Sequence, residues 1–325
     1  MDGVTFSELL QHLYMGLVQG SIYVLLALGL SIIFGLMGII NFGHGAFYML
    51  GAYFGFTVVT TRLAGPSSIF FLAIFLGPLA MFFVGMLTEW GLIRKIYSAK
   101  NPLFSGVLIT FGLSIFLPDF VRIFWGRPGK PLAIPPILDS CIMSLGEPGR
   151  ELCFSSYRFF IIIMAAVLVP LIWLLLHRTN LGMVIRAGTS DNEMVQILGV
   201  NSSRVWTITF GLGIALAGFA GIMIAPIFGI DSTMGDTILI QTFIVVVVGG
   251  MGSFIGPVIG GLIVGQIWAL TPLVGRTVFV HQYLSGTVIG PQFWEKASDI
   301  LLFTVMAVVL LVRPRGIMGE EGVFE

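Results

Sequence analysis

From Leu9 to Val312 this chain never turns polar for long enough to build a separate water-soluble core. Its apolar stretches recur at lengths near the ~20 residues that a helix rising ~1.5 Å per residue needs to cross a hydrocarbon layer. Such a chain folds as a bundle of membrane helices, because a backbone in lipid must satisfy its polar groups internally. Composition agrees: 57% of the 325 residues are hydrophobic and 10% are charged, against roughly 25% charged in soluble domains. The fold class expected is all-α, a polytopic integral membrane protein with one transmembrane domain over residues 1–325.

The length ruler gives eight or nine spans. They run from about Leu9 to Phe34, Gly45 to Val59, Ile69 to Leu87, Leu103 to Phe124, Phe159 to Leu176, Val205 to Ile224, Thr237 to Val248, Ile255 to Leu270 and Ile300 to Val312. A Gly/Pro-rich stretch, about 125–158, cannot continue as helix and forms a large extramembrane loop. A polar island occupies about 177–204. Asp2 and Glu8 precede the first span with no Lys or Arg, the wrong polarity for a cleaved signal, so that span is expected to be retained. Orientation does not follow from charge: placing island and tail on the cytoplasmic side divides the 16 Lys and Arg evenly.

The run from Gly29 to Tyr53 is interrupted by Asn41, Gly43, His44 and Gly45 without a single charge. Irregular backbone at membrane depth survives only where protein buries it or where it lines a wet cavity. The interruption therefore marks a candidate translocation path, with Asn41 and His44 able to donate and accept hydrogen bonds. The competing structural role is that both side chains satisfy carbonyls freed by the break. A second interruption at Gly249, Gly250 and Gly252 is the expected counterpart in an internal repeat. Its neighbours Gly256, Gly260, Gly261 and Gly265 also fit close helix packing at four-residue spacing.

The island reads as a helical elbow. Ser190 and Glu193 form a capping-box pattern, Met194, Val195, Ile197 and Leu198 share an apolar face, and Gly199 supplies a stop. Asn201 or Ser202 caps the next span. The apolar face suits either the lipid interface or a protein partner, and the acidic Asp191 and Glu193 favour the partner.

Several chemistries find no residues. No carboxylate is expected at the centre of a span, which argues against an ion-coupled carrier, and Asp119 with Arg122 reads as an interfacial i, i+3 pair. The only Gly-Lys pair, Gly129-Lys130, runs into Pro131 and cannot be a phosphate loop, so the chain binds no ATP of its own. No metal-spaced cluster, nucleophile elbow or basic nucleic-acid patch occurs. Enzyme activity, cofactor, metal and nucleic acid are all unexpected. Cys141 and Cys153 share the long loop, where a disulfide and two free thiols are both open.

With INFGHGAFYMLGAY, LGMVIRAGTSDNEMVQILGVN, VVVVGGMGSFIGPVIGGLIVG and VRPRGIMG in that order, the chain resembles the LivH-type permeases of ABC importers for branched-chain amino acids. The resemblance implies a multi-pass permease of the bacterial inner membrane, paired with a LivM-like subunit or a copy of itself. Two cytoplasmic ATPase subunits and a periplasmic solute-binding protein complete such an importer. It implies an ATPase-coupling role for Arg186, Ala187, Asp191, Asn192, Leu198 and Gly199, and it places Asn41 to Gly45 and Gly249 to Gly252 near the path. It also places the island and tail in the cytoplasm and the Cys-bearing loop outside. Two departures, Ala46 where many relatives carry Glu and Gln241 where some carry a basic residue, make this path less charged. The alternative reading is an ATP-independent channel for a small neutral solute such as urea or a short amide. A membrane anchor is a third.

Overall fold

The computed structural model describes residues 5–61, 65–145, 152–190, 192–274 and 297–319. Every apolar segment named above is a helix. They are α1 (Phe6–Met37), α2 (His44–Thr60), α3 (Pro66–Gly91), α4 (Pro102–Trp125), α5 (Ser156–Arg178), α8 (Ser202–Phe228), α9 (Met234–Gly249), α10 (Ile255–Val274) and α11 (Ser298–Val312). The island holds two more, α6 (Asn180–Ser190) and α7 (Asn192–Ile197). Among the described residues six helices are long and apolar enough to cross a membrane. The exceptions α2, α9 and α11, with 17, 16 and 15 residues, fall short of the ~20 needed. The first two are short because each starts inside the bundle.

The bundle has two distinguishable ends. At one, the long loop carries a two-stranded antiparallel hairpin, β1 (Cys141–Leu145) and β2 (Leu152–Ser155). Sequence reading left this stretch without secondary structure. Cys141 and Cys153 are joined by a disulfide, their Cα atoms 5.5 Å apart. The hairpin sits on the start of α1, where Tyr14 Oη donates to the Ser155 carbonyl at 2.7 Å. Lys130 and Ile230 exchange both backbone hydrogen bonds, at 2.8 and 2.9 Å, tying the loop to the turn after α8. At the other end lie α6, α7 and the 313–319 tail.

Helices α1 and α8 run antiparallel through the middle. The end of α1 and the start of α8 meet in one apolar cluster of Leu36, Leu176, Ile185 and Trp206, whereas the start of α1 and the end of α8 lie at the hairpin end. Each carries a full-length helix along one flank: α10 on α1, through Gly16, Gly20, Gly261 and Gly265, and α3 on α8, through Gly85, Gly211 and Gly218. Correspondingly, α2 packs on α3 and α4 while α9 packs on α10 and α11. This is an inverted repeat, α1–α4 against α8–α11. Helix α5 stands outside it and is the least buried of the six long helices, with an apolar crevice of about 440 Å³ between it, α3 and α8.

Candidate transport site

Three consecutive devices build the break after α1. Gly38, in the left-handed region at φ 63°, stops the helix and bonds back to the Phe34 carbonyl at 2.7 Å. The chain then returns along α4, where Thr110 Oγ1 donates to the Ile40 carbonyl at 3.1 Å. Asn41 Oδ1 accepts from the Gly43 N–H at 3.0 Å, an Asx-turn that launches α2 in mid-bundle.

Asn41 and His44 are 0% and 1% exposed. His44 Nε2 donates to the Leu26 carbonyl of α1 at 3.1 Å, so the ring pins the start of α2 to the middle of α1. Asn41 Nδ2 and His44 Nδ1 are among the seven buried side-chain polar atoms of the described residues that lack a hydrogen-bond partner. Beside them, Gly45 meets Gly235 of α9 backbone to backbone. A substituent at Gly29 would likewise strike the Gly213 carbonyl and the His44 ring. Phe42 lies between Phe111 and Phe243, with ring centroids 6.4 and 5.3 Å away. The starts of α2 and α9 thus meet backbone to backbone at Gly45 and Gly235.

Gly249, Gly250 and Gly252 are elsewhere. They close α9 at the elbow end, where Ile317 and Met318 donate backbone hydrogen bonds to Val248 and Gly249, both at 2.9 Å. Gly250 packs on Gly316 and Gly319, and Gly256 on Gly249. The expected pairing of the two interruptions is therefore corrected: the repeat partner of Asn41–Gly45 is the 229–235 turn leading into α9. The four-residue glycine spacing does serve packing, with Gly260 on Val245, Gly261 on Val24 and Gly265 on Gly20.

At the elbow, Arg186 bonds the Leu176 carbonyl, capping the end of α5. Ile185 is buried, while Arg186 and Ala187 face outward. Ser190 is the last residue of α6; Asp191 lies outside the described residues, and α7 begins at Asn192. Val195 points inward, which removes it from the apolar face read from sequence; Met194, Ile197 and Leu198 remain on it, 51%, 78% and 74% exposed. Gly199, at φ 82°, ends the helix on the Gln196 carbonyl at 3.0 Å. Asn201 is the cap of α8, accepting from the Arg204 N–H at 3.2 Å.

Sequence reading missed two polar groupings. Glu89, 0% exposed, accepts from Arg94 at 3.1 Å and from Thr207 Oγ1 at 2.5 Å, locking the end of α3 to the start of α8. Tyr23 Oη donates to Gln241 at 2.6 Å and Gln241 Nε2 to Asp299 at 3.3 Å, a chain across α1, α9 and α11. Tyrosine and glutamine carry no spacing signal, and Glu89 lies two residues beyond the Leu87 end of the third expected span. The Asp119–Arg122 pair is present at 2.8 Å. Among the described residues no His, Cys, Asp and Glu cluster fit for a metal occurs.

A family profile described as branched-chain amino acid transport system, permease component, matches residues 12–310. The high-affinity branched-chain amino acid permease protein BraD of Pseudomonas aeruginosa is 32% identical over 324 residues, covering 97% of each chain. LivH of Escherichia coli is 26% identical over 321 residues, 98% of each. LivM of Escherichia coli is 24% identical over 315 residues, covering 91% of this chain and 68% of that protein. No solved structure matches. With this match along nearly its whole length, the chain belongs to the permease-component family of branched-chain amino acid transport systems.

Proposed function

We propose that the chain is the membrane-spanning subunit of an ATP-driven importer for branched-chain and related small aliphatic amino acids. The match to a transport-system permease component along 12–310 carries this reading. The same match favours it over the stand-alone channel. In this reading a solute-binding protein delivers substrate at the hairpin end, which faces the periplasm, where a disulfide persists. A second permease subunit, LivM-like or a copy of this chain, completes the path, and two cytoplasmic ATPases supply the energy. The chain itself binds no ATP and sits in the bacterial inner membrane.

The α2–α9 contact is the element that changes between states. Asn41 and His44 are closed into it in the present arrangement, and their unpartnered Nδ2 and Nδ1 atoms are the groups that gain partners when it opens. Closure of the ATPases would act on the elbow residues Arg186, Ala187, Asp191, Asn192, Leu198 and Gly199, and reach α1 through Ile185, which shares an apolar cluster with Leu36. Reconstitution in liposomes tests the reading. L-leucine uptake should require ATP, the ATPases and the binding protein; equal uptake by the chain alone would sink it. Asp191→Arg should insert normally yet lose ATPase association.

A further inference from the structure

A second, smaller cavity opens near the hairpin end between α1, α5, α8 and α10, away from the α2–α9 contact. Its volume is about 110 Å³. Val18, Ile224, Ile227 and Trp268 give it apolar walls, and two polar side chains reach it, Gln19 of α1 and Arg158 in the first turn of α5. Gln19 is only 7% exposed, and Arg158 is half-buried. Among the described residues no carboxylate lies within ion-pair distance of Arg158. A guanidinium drawn partly out of water beside an apolar hollow favours an anion that brings its own apolar body.

Size narrows the class. A water takes roughly 30 Å³ of liquid, so the cavity holds the equivalent of about four, which is the scale of one small branched alkyl group. Pockets for larger ligands run to roughly 300–1,000 Å³, and a lipid tail belongs in a space like the crevice beside α5. We infer that this cavity is a docking subsite for a small aliphatic amino acid. The Arg158 fork donates to the carboxylate, the Gln19 carbonyl oxygen accepts from the ammonium, and the apolar walls take the side chain. The assignment rests on the amino-acid importer reading and adds a first station to it, ahead of the buried break.

The test is binding of radiolabelled L-leucine to the full chain in nanodiscs of zwitterionic lipid. Saturable binding is expected, with L-valine competing. Arg158→Gln should weaken it by about tenfold or more, the scale of a lost charged hydrogen bond. Ile227→Phe should do the same by filling the cavity, and Leu108→Phe, on the outer face of α4, should not. Melting temperatures of each variant separate lost binding from lost fold. No leucine binding by the parent chain, parent-like binding by Arg158→Gln and Ile227→Phe, or competition by a soluble phospholipid headgroup in place of L-valine would each overturn the subsite. ATP-driven uptake by the parent transporter, measured in parallel, keeps the two claims apart: uptake that persists unchanged in Arg158→Gln removes the subsite and leaves the importer standing.

Discussion

Gly45 of α2 and Gly235 of α9 each occupy the space where the other would need a Cβ: a methyl added to either meets the carbonyl of its opposite. The obstacle is backbone on both sides, so no side-chain rotation relieves it. Gly45→Ala or Gly235→Ala should cost about 1–3 kcal/mol, the range for overpacking, and abolish uptake. Gly112→Ala on α4, with open space around it, should be neutral or stabilise by up to about 1 kcal/mol through helix propensity. Thermal unfolding of the three variants in one detergent checks the contrast, and a Gly45→Ala protein as stable as the parent would refute the contact.

His44 anchors α2 to α1 with one ring nitrogen. His44→Ala removes that bond and opens a hole in a packed interior, with an expected loss of about 2–4 kcal/mol. Asn41→Ala only undoes the Asx-turn, at about 1 kcal/mol. Both should lower L-leucine uptake, but the Asn41 variant should do so while retaining most of its stability. Equal stability losses would mean that the turn matters no more than its surroundings.

The hairpin disulfide gives a chemical readout. Cys141 and Cys153 should resist alkylation in protein extracted from membranes and become reactive only after reduction. Because the bond closes only a short loop at the edge of the bundle, Cys141→Ser should leave the helical signal intact and disturb only the hairpin and the Tyr14 contact. Ready labelling of both thiols without reductant would contradict the pairing.

Ile197, the last residue of α7, and Leu198 just after it are exposed, so replacing both with Ser should change stability by no more than about 0.5 kcal/mol. Val195→Asp, by contrast, places a charge in a buried position and should be strongly destabilising. Co-purification with the ATPases should fail for the Ser pair despite normal folding. Full retention of the ATPases would remove the apolar face from the coupling surface.

In the turn between α8 and α9, the Thr233 hydroxyl and N–H, both 2.7 Å from Asp231 Oδ1, hold that carboxyl below its usual range, with Arg122 adding to the effect. A depressed value means that the turn is favoured by ionised Asp231 above the unfolded-state value of 3.8 and loses that support as pH falls through the lower folded value. Asp231→Asn should therefore flatten the acid limb of the stability curve below the unfolded-state value of 3.8. An unchanged acid limb would show that the turn does not depend on the carboxylate.

Much of this fold was legible because lipid imposes a length rule. All nine apolar segments are helices, Gly199 and Asn201 bound the elbow, and Asp119 pairs with Arg122. Depth was not legible. A run such as Met234–Gly249 reads the same whether it begins at a surface or in mid-bundle, and only the packing of Gly235 on Gly45 sets its level. For the same reason glycine density at Gly249–Gly252 suggested a counterpart to the Asn41 break, whereas those residues seat the tail. The Tyr23–Gln241–Asp299 chain escaped notice because its members lie 218 and 58 positions apart.

The crevice beside α5 has a mechanical meaning. Helices α1, α3, α8 and α10 are clasped by glycine contacts in which backbone touches backbone, so sliding any of them requires the whole bundle to yield. Helix α5 has side chains on one flank and fluid hydrocarbon on the other, and it carries α6 and α7 at its tip. The elbow thus joins two kinds of support, a helix bordered by an open crevice through α5 and the glycine-clasped frame through Ile185, Leu36 and Trp206.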